Sequence, residues 1–302
     1  THILALVASD FCKTTDALLK FFSKTFYFHQ YGDSYSLERQ LMDVTQLLVE
    51  WGFIQKSGER LLATRLGKRV SELYLDPSTA HKFLESLKLT QKIQANSFSI
   101  LQTISNTNEI KPLMNVRDKE YQEIQEMLIE NEGNLLQEIP NEYDYEFEDF
   151  FKSIKTAMAF DFWTNEATEE KLLETYNIAP GELHGKLKIA DWLLYSLEQL
   201  ALLAGYKSIL LPIRKLRVRM RYGVKEELLT LIKLEQVGRV RARKLFVAGL
   251  KSLEDLRKTP LERLSAIVGL NIARGIKDQL EGKKISNKVE KQKTLGSGVA
   301  GI

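Results

Sequence analysis

The residues whose types and spacing could do chemistry fall in two groups: Trp192 with Lys188 and Tyr195, and the run Gly238, Arg239, Arg241, Arg243 and Lys244. An indole face stacks on any nucleobase, worth roughly 1–3 kcal/mol per base, and a neighbouring ammonium can meet a phosphate. In the second group, glycine permits a tight turn, and the free amides that open the following helix can hold a phosphate between flanking guanidinium groups. Each group has a plainer alternative. A second helix or loop could cover Trp192, since Trp is usually mostly buried, and the basic run could be a solvated charge face. Metal chemistry is not expected: His2, His29, His81 and His184 show no ligand spacing, and the single Cys12 excludes an internal disulfide or a cysteine cluster.

Trp192 lies within Leu183 to Ala204, a stretch introduced by Pro180-Gly181 and closed by Gly205. At roughly 100° per residue, Leu183, Leu187, Ala190, Leu194, Leu197, Ala201 and Ala204 form one stripe, the mark of a buried helix seam. Trp192 projects to the opposite side with Lys188, Tyr195, Ser196 and Gln199.

The remaining sequence frames this helix. With 302 residues, 44% of them hydrophobic, the chain can build two or three cores, and its six prolines and scarce alternating segments point to a mainly α fold. It lacks a run of about 18 uncharged apolar residues and a signal-peptide pattern, so a soluble, cytoplasmic protein without membrane contact is expected. Net charge is only +3, but acids gather at Glu138, Glu142, Asp144, Glu146, Glu148 and Asp149, whereas residues 207 to 251 are rich in Lys and Arg. That segregation predicts a basic face in the C-terminal third. There is no initiator Met, and the first residues read as helix, so the chain is expected to be a piece of something longer.

Four regions follow. Residues 1–75 read as a winged helix: helices over His2 to Phe11, Thr14 to Phe28 and Leu37 to Trp51, the last capped by Ser34 or Ser36, then a hairpin around Ser57-Gly58 and a helix from Gly67. The third helix carries Glu38, Arg39, Asp43 and Glu50, which favours a docking role, although Lys56, Arg60, Arg65, Lys68 and Arg69 keep duplex reading open. Residues 76–210 read as a helical bundle with Asn-, Gly- and Pro-rich connections. Residues 211–284 contain a repeat: Gly238, Ala242 and Leu245 recur in spacing as Gly269, Ala273 and Ile276, a pattern that resembles tandem helix-hairpin-helix units. Gln236 and Ile267 stand where many such motifs have a second glycine. Residues 285–302 form a polar tail in which Gln292-Lys293-Thr294-Leu295 resembles the start of a sliding-clamp-binding peptide.

Taken in order, these regions, with the segments PGELHGKLKIADWLLYS and YGVKEELLTLIKLEQVGRVRARKLFVAGLKSLEDL, resemble the C-terminal half of the archaeal Hjm-type DNA-repair helicases. Those belong to the Ski-two-like group of superfamily two, with the helicase part of DNA polymerase theta. The resemblance implies that the bundle is a ratchet domain whose long helix stacks Trp192 on a base of single-stranded DNA, and that Arg239, Arg241 and Arg243 grip the translocated strand. Gly185 stands where relatives often carry an arginine, with Lys186 or Lys188 as stand-ins. No G-x-x-x-x-G-K-[ST] loop or D-E-x-H-like box occurs, so the chain is expected to need no cofactor, while ATP and magnesium would serve the motor domains of a parent enzyme that unwinds single-stranded and forked DNA from three-prime to five-prime. A monomer is expected. Two competing readings are a non-enzymatic winged-helix regulator that reads duplex DNA, and a protein-docking scaffold contacting through the acidic 138–149 loop.

Overall fold

Capping side chains decide where the first helices begin. Helix α1 (His2–Ala8) has no side-chain cap, whereas α2 (Thr15–Phe22), α3 (Phe26–Tyr31) and α4 (Ser34–Glu50) start on Thr14, Thr25 and Asp33, whose oxygens accept first-turn amides. The continuous helix expected from Thr14 to Phe28 is therefore two helices, because Thr25 opens a new one after α2 ends at Phe22. Asp33 caps α4 in place of the expected serine. Strands β1 (Ile54–Ser57) and β2 (Arg60–Ala63) form the hairpin, pairing Ile54 with Ala63 and Ser57 with Arg60. Thr14 bridges to Arg60, and the Leu61 amide donates to the Lys13 carbonyl at 2.8 Å, so the chain before α2 runs along the hairpin. Thr64 then caps α5 (Arg65–Glu72). The start of α5 crosses the Phe53 backbone so closely that a Cβ on Gly67 would lie 2.0 Å from the Phe53 carbonyl oxygen.

The computed structural model describes residues 1–282, and the chain divides into two compact units, Thr1–Glu226 and Glu227–Ile302. Among the described residues β1 and β2 are the only strands, and the fold is mainly helical. The first unit continues with α6 (Pro77–Leu89), α7 (Ser97–Ser105), α8 (Tyr121–Asn131), α9 (Phe147–Thr164), α10 (Glu169–Tyr176), α11 (Pro180–Ala204) and α12 (Leu210–Tyr222). Helices α7 and α9 supply much of the core, through Ile100, Leu101 and Ile104 on one and Phe150, Ile154, Ala157 and Phe160 on the other. The seam on α11 is as expected at Leu183, Ala190, Leu194, Leu197 and Ala201, all fully buried or nearly so, and the helix as a whole packs against α5, α6, α7 and α12. Ala204, the last residue of that stripe, is exposed at the helix end.

Two buried ammonium groups hold the segment between α7 and α8. Lys155 on α9, 3% exposed, donates to the Asn115 carbonyl and to Glu120 Oε2, both at 2.6 Å. Lys186 on α11 donates to the carbonyls of Ile110 and Pro112. Burial alone would push the Glu120 carboxyl up, but hydrogen bonds from Arg117 and Lys155 outweigh it and hold the group at about 2. Burial pushes the Lys186 ammonium down.

The expected boundary at residue 210 is not a break in packing. Helix α12 belongs to the first unit, held there by Ile213, Leu216 and Met220 and by the buried Arg219, which donates to the Val224 carbonyl, Ser97 Oγ and Thr164 Oγ1. The second unit contains α13 (Leu229–Ile232), α14 (Arg239–Val247), α15 (Leu253–Lys258), α16 (Leu261–Val268) and α17 (Leu270–Leu280). The repeat is visible in its packing: Ala242 and Leu245 on α14, and Ala273 and Ile276 on α17, are all fully buried.

Two outcomes follow from these contacts. Gly67→Ala should destabilise the chain by about 1–3 kcal/mol, measured by denaturant unfolding, because backbone rather than a flexible side chain meets the new methyl. Glu120 is held below its unfolded value of 4.5, so its stabilisation is complete above 4.5 and is lost as pH falls toward about 2. Unfolding free energy followed from pH 6 to 2 should decline less steeply in Glu120→Gln than in the unmodified chain.

Candidate nucleic-acid interface

The outer face of α11 is built from Gly185, Lys188, Trp192, Tyr195 and Gln199, which follow one another at helical steps. Its first half is open. Gly185 and Lys188 are exposed, and a side chain added at Gly185 would meet nothing within 4 Å. Trp192 is half-buried, and its Nε1–H donates to the carbonyl of Leu73, the C-terminal cap of α5, at 3.0 Å. The indole thus has a fixed orientation and keeps part of its surface in solvent. The covering segment weighed as the alternative is partly present: it is the chain leaving α5, where exposed Tyr74 takes a positive φ of 56°.

Beyond Trp192 the face is occupied by protein. The Tyr195 hydroxyl accepts from Arg69 Nη2 at 3.1 Å, and the Arg217 guanidinium lies over its ring, 4.9 Å from the centroid. Gln199 Oε1 accepts from the same Arg69 nitrogen at 2.9 Å. Lys186 points inward and is 5% exposed, which removes it as a stand-in for the expected arginine; Lys188 remains open for that place.

The basic face expected over residues 207 to 251 needs correction in its first half. Arg217 and Arg221 pair with Asp191, and Arg214 and Arg217 pair with Glu198, at 2.6 to 3.2 Å. Arg219 is buried. These side chains bind α12 to α11 and neutralise the acids on that helix, so a count of cations overstates the positive surface. The sequence held the missing signal, since Asp191 and Glu198 lie seven residues apart on one side of α11.

In the second unit the turn before α14 is formed by Lys233 to Gly238. Gln236, where the expected motif would have a second glycine, takes φ 66°, whereas Gly238 is extended at φ −81° and ψ −179°. The left-handed residue is therefore Gln236 in the turn before α14 and Gly269, at φ 87°, immediately before α17. Arg241 is exposed, and its Nη1 donates to the Gln236 carbonyl at 2.8 Å. Arg243 pairs with Glu227 at 2.7 Å and lies over the Phe246 ring. Arg239 is half-buried, and Lys244 is exposed. Arg241 and Lys244 are thus the most accessible cations of the expected run. The clamp-like peptide at residues 292–295 lies outside the described residues.

Among the described residues, no group of three or more His, Cys, Asp or Glu side chains could hold a metal ion, and no helix is long and apolar enough to cross a membrane.

Replacing a side chain at a left-handed position with glycine relieves Cβ strain. Gln236→Gly should stabilise the second unit by roughly 0.5–1 kcal/mol, seen as a higher unfolding midpoint; an unchanged or lower midpoint would show that the turn is not strained.

Nearly the whole sequence is similar to that of known proteins. Residues 98–223, which cover α7 to α12, match the family described as "Archaeal helicase, domain 4". The chain is 38% identical over 297 residues to the ATP-dependent DNA helicase Hel308 of Thermococcus kodakarensis, aligning 97% of this chain with 26% of that protein. It is 36% identical to the Hel308 of Caldivirga maquilingensis, with 94% and 38% aligned, and 34% identical to that of Pyrococcus abyssi, with 94% and 40% aligned. The chain thus spans about a quarter to two fifths of the length of these relatives. Nearly the whole of it aligns with them, and it belongs to the family of archaeal Hel308-type superfamily-two helicases.

Proposed function

We propose that this chain is the DNA-gripping C-terminal portion of an ATP-dependent helicase that moves three-prime to five-prime in DNA repair and replication-fork processing. The observation that carries the reading is the open half of α11, where an indole of fixed orientation stands one turn from the exposed Lys188. A base stacks on Trp192, and the ammonium of Lys188 meets the adjacent phosphate. In the second unit, Arg241 and Lys244, with Arg239 and Arg243 beside them, meet further phosphates at the helix opened by Gly238. On this reading residues 1–75 are a winged helix that scaffolds the bundle, and residues 227–282 are paired helix-hairpin-helix units.

Neither contact reads a base edge, so binding is tolerant of sequence and strongly dependent on salt. The motor that supplies ATP hydrolysis and uses magnesium is proposed for the remainder of a full-length family member, since this sequence holds no phosphate-binding loop. The chain binds single-stranded and forked DNA as a monomer and works in the cell interior.

Fluorescence anisotropy of a labelled single strand across a salt series tests this. Trp192→Ala should cost roughly 1–3 kcal/mol with an unchanged salt slope. Arg241→Ala with Lys244→Ala should flatten the slope by about 1.4, roughly 0.7 for each lost phosphate contact on a single strand. Unchanged binding by a folded Trp192→Ala chain would overturn the assignment of α11. Tighter binding to duplex that fails on Lys56→Ala would favour a duplex-reading winged helix instead.

A further inference from the structure

Helices α5 and α11 are joined at their polar edges by one side chain. Arg69 places Nη1 on Glu72 Oε2 at 2.9 Å, within α5, and directs Nη2 to Tyr195 and Gln199 on α11. Four residues after Arg69, the Leu73 carbonyl receives the Trp192 indole N–H. Trp192, Tyr195 and Gln199 are successive positions on one face of α11, and all three are tied to α5 or to its cap. Arg69 is separated from its two α11 partners by 126 and 130 residues.

We propose that Arg69 is a positioning residue for the strand-contacting face of α11, acting on nucleic acid through Tyr195, Gln199 and the Leu73–Trp192 bond without touching it. The inference rests on the reading of Trp192 as the stacking residue. An indole that can rotate must lose that freedom when a base stacks on it, whereas one already fixed by its N–H does not. The carbonyl that fixes it belongs to the C-terminal cap of α5, so the orientation of the ring is only as definite as the seating of α5 on α11. Arg69 supplies the polar part of that seating. A planar guanidinium can serve Glu72, Tyr195 and Gln199 together, which the single nitrogen of a lysine cannot do with the same geometry.

The test uses the whole chain, with unmodified, Arg69→Met, Arg69→Lys, Trp192→Ala and Arg69→Met/Trp192→Ala forms compared in single-strand anisotropy across a salt series, each first checked for folding by thermal unfolding. Arg69→Met should weaken binding roughly three- to tenfold with an unchanged salt slope. Arg69→Lys should not restore affinity, and Arg69→Met should add almost nothing once Trp192 is already Ala. A folded Arg69→Met chain that binds like the unmodified one overturns the proposal. So does a slope flattened by about 0.7 with losses that simply add, which marks a direct phosphate contact. Should Arg69→Met fail to fold, Gln199→Met breaks one of the two bonds to α11 without changing charge and is read by the same criteria. Loss of affinity in Trp192→Ala but not in Arg69→Met or Gln199→Met rejects only the positioning role; no loss in Trp192→Ala rejects the stacking reading and this inference with it.

Discussion

Burial of the apolar stripe on α11 is the constraint on which the rest of the first unit depends. Leu183, Ala190, Leu194, Leu197 and Ala201 must leave water, and they do so against α6, α7 and α12. Once that stripe is inside, the opposite side of the helix is turned toward solvent at Lys188, whereas Ser196 farther along it is itself buried. Lys188 faces solvent, and Trp192 stands at the boundary between solvent and α5. The polar contacts then refine an orientation already imposed by packing. Lys186, on the inward side, anchors the helix to the Ile110 and Pro112 carbonyls, and Asp191 and Glu198 draw α12 alongside through three arginines.

Those ion pairs explain why composition misleads about electrostatics here. Arg214, Arg217 and Arg221 would count as a positive patch in any reading of linear charge, yet each is matched by a carboxylate across the α11–α12 contact. Pairs as exposed as Arg214 and Arg221 contribute little stability, typically under about 1 kcal/mol each. Their larger effect is to lower the local positive potential. Of the cations first considered for a phosphate, Lys188 on α11 and Arg241 and Lys244 on α14 stay exposed.

Much of the fold was legible in the sequence because it is written in local periodicity. The α11 seam, the hairpin around Gly58 and the duplicated Gly-Ala-apolar spacing all appear where expected. Less legible was what depends on distant partners. The split between α2 and α3 turned on a threonine cap inside an aromatic run, and the placement of α12 turned on a buried arginine reaching Ser97 and Thr164. The candidate site shows the same division. Periodicity put Trp192 on the outer face, but only the tertiary fold shows that its N–H and its neighbours Tyr195 and Gln199 are held by α5.

On the proposed reading, the two gripping elements lie in different compact units, and each is modest by itself. A single stacked base and a lysine, or a pair of accessible cations at one helix start, would each hold a strand weakly. A weak, sequence-tolerant contact also releases readily, which a strand that must advance through the protein requires. A buried, fully satisfied aromatic pocket would bind a base more tightly and stall it. The half-buried indole of Trp192, fixed at its N–H and open on part of its surface, fits the weaker and more reversible role.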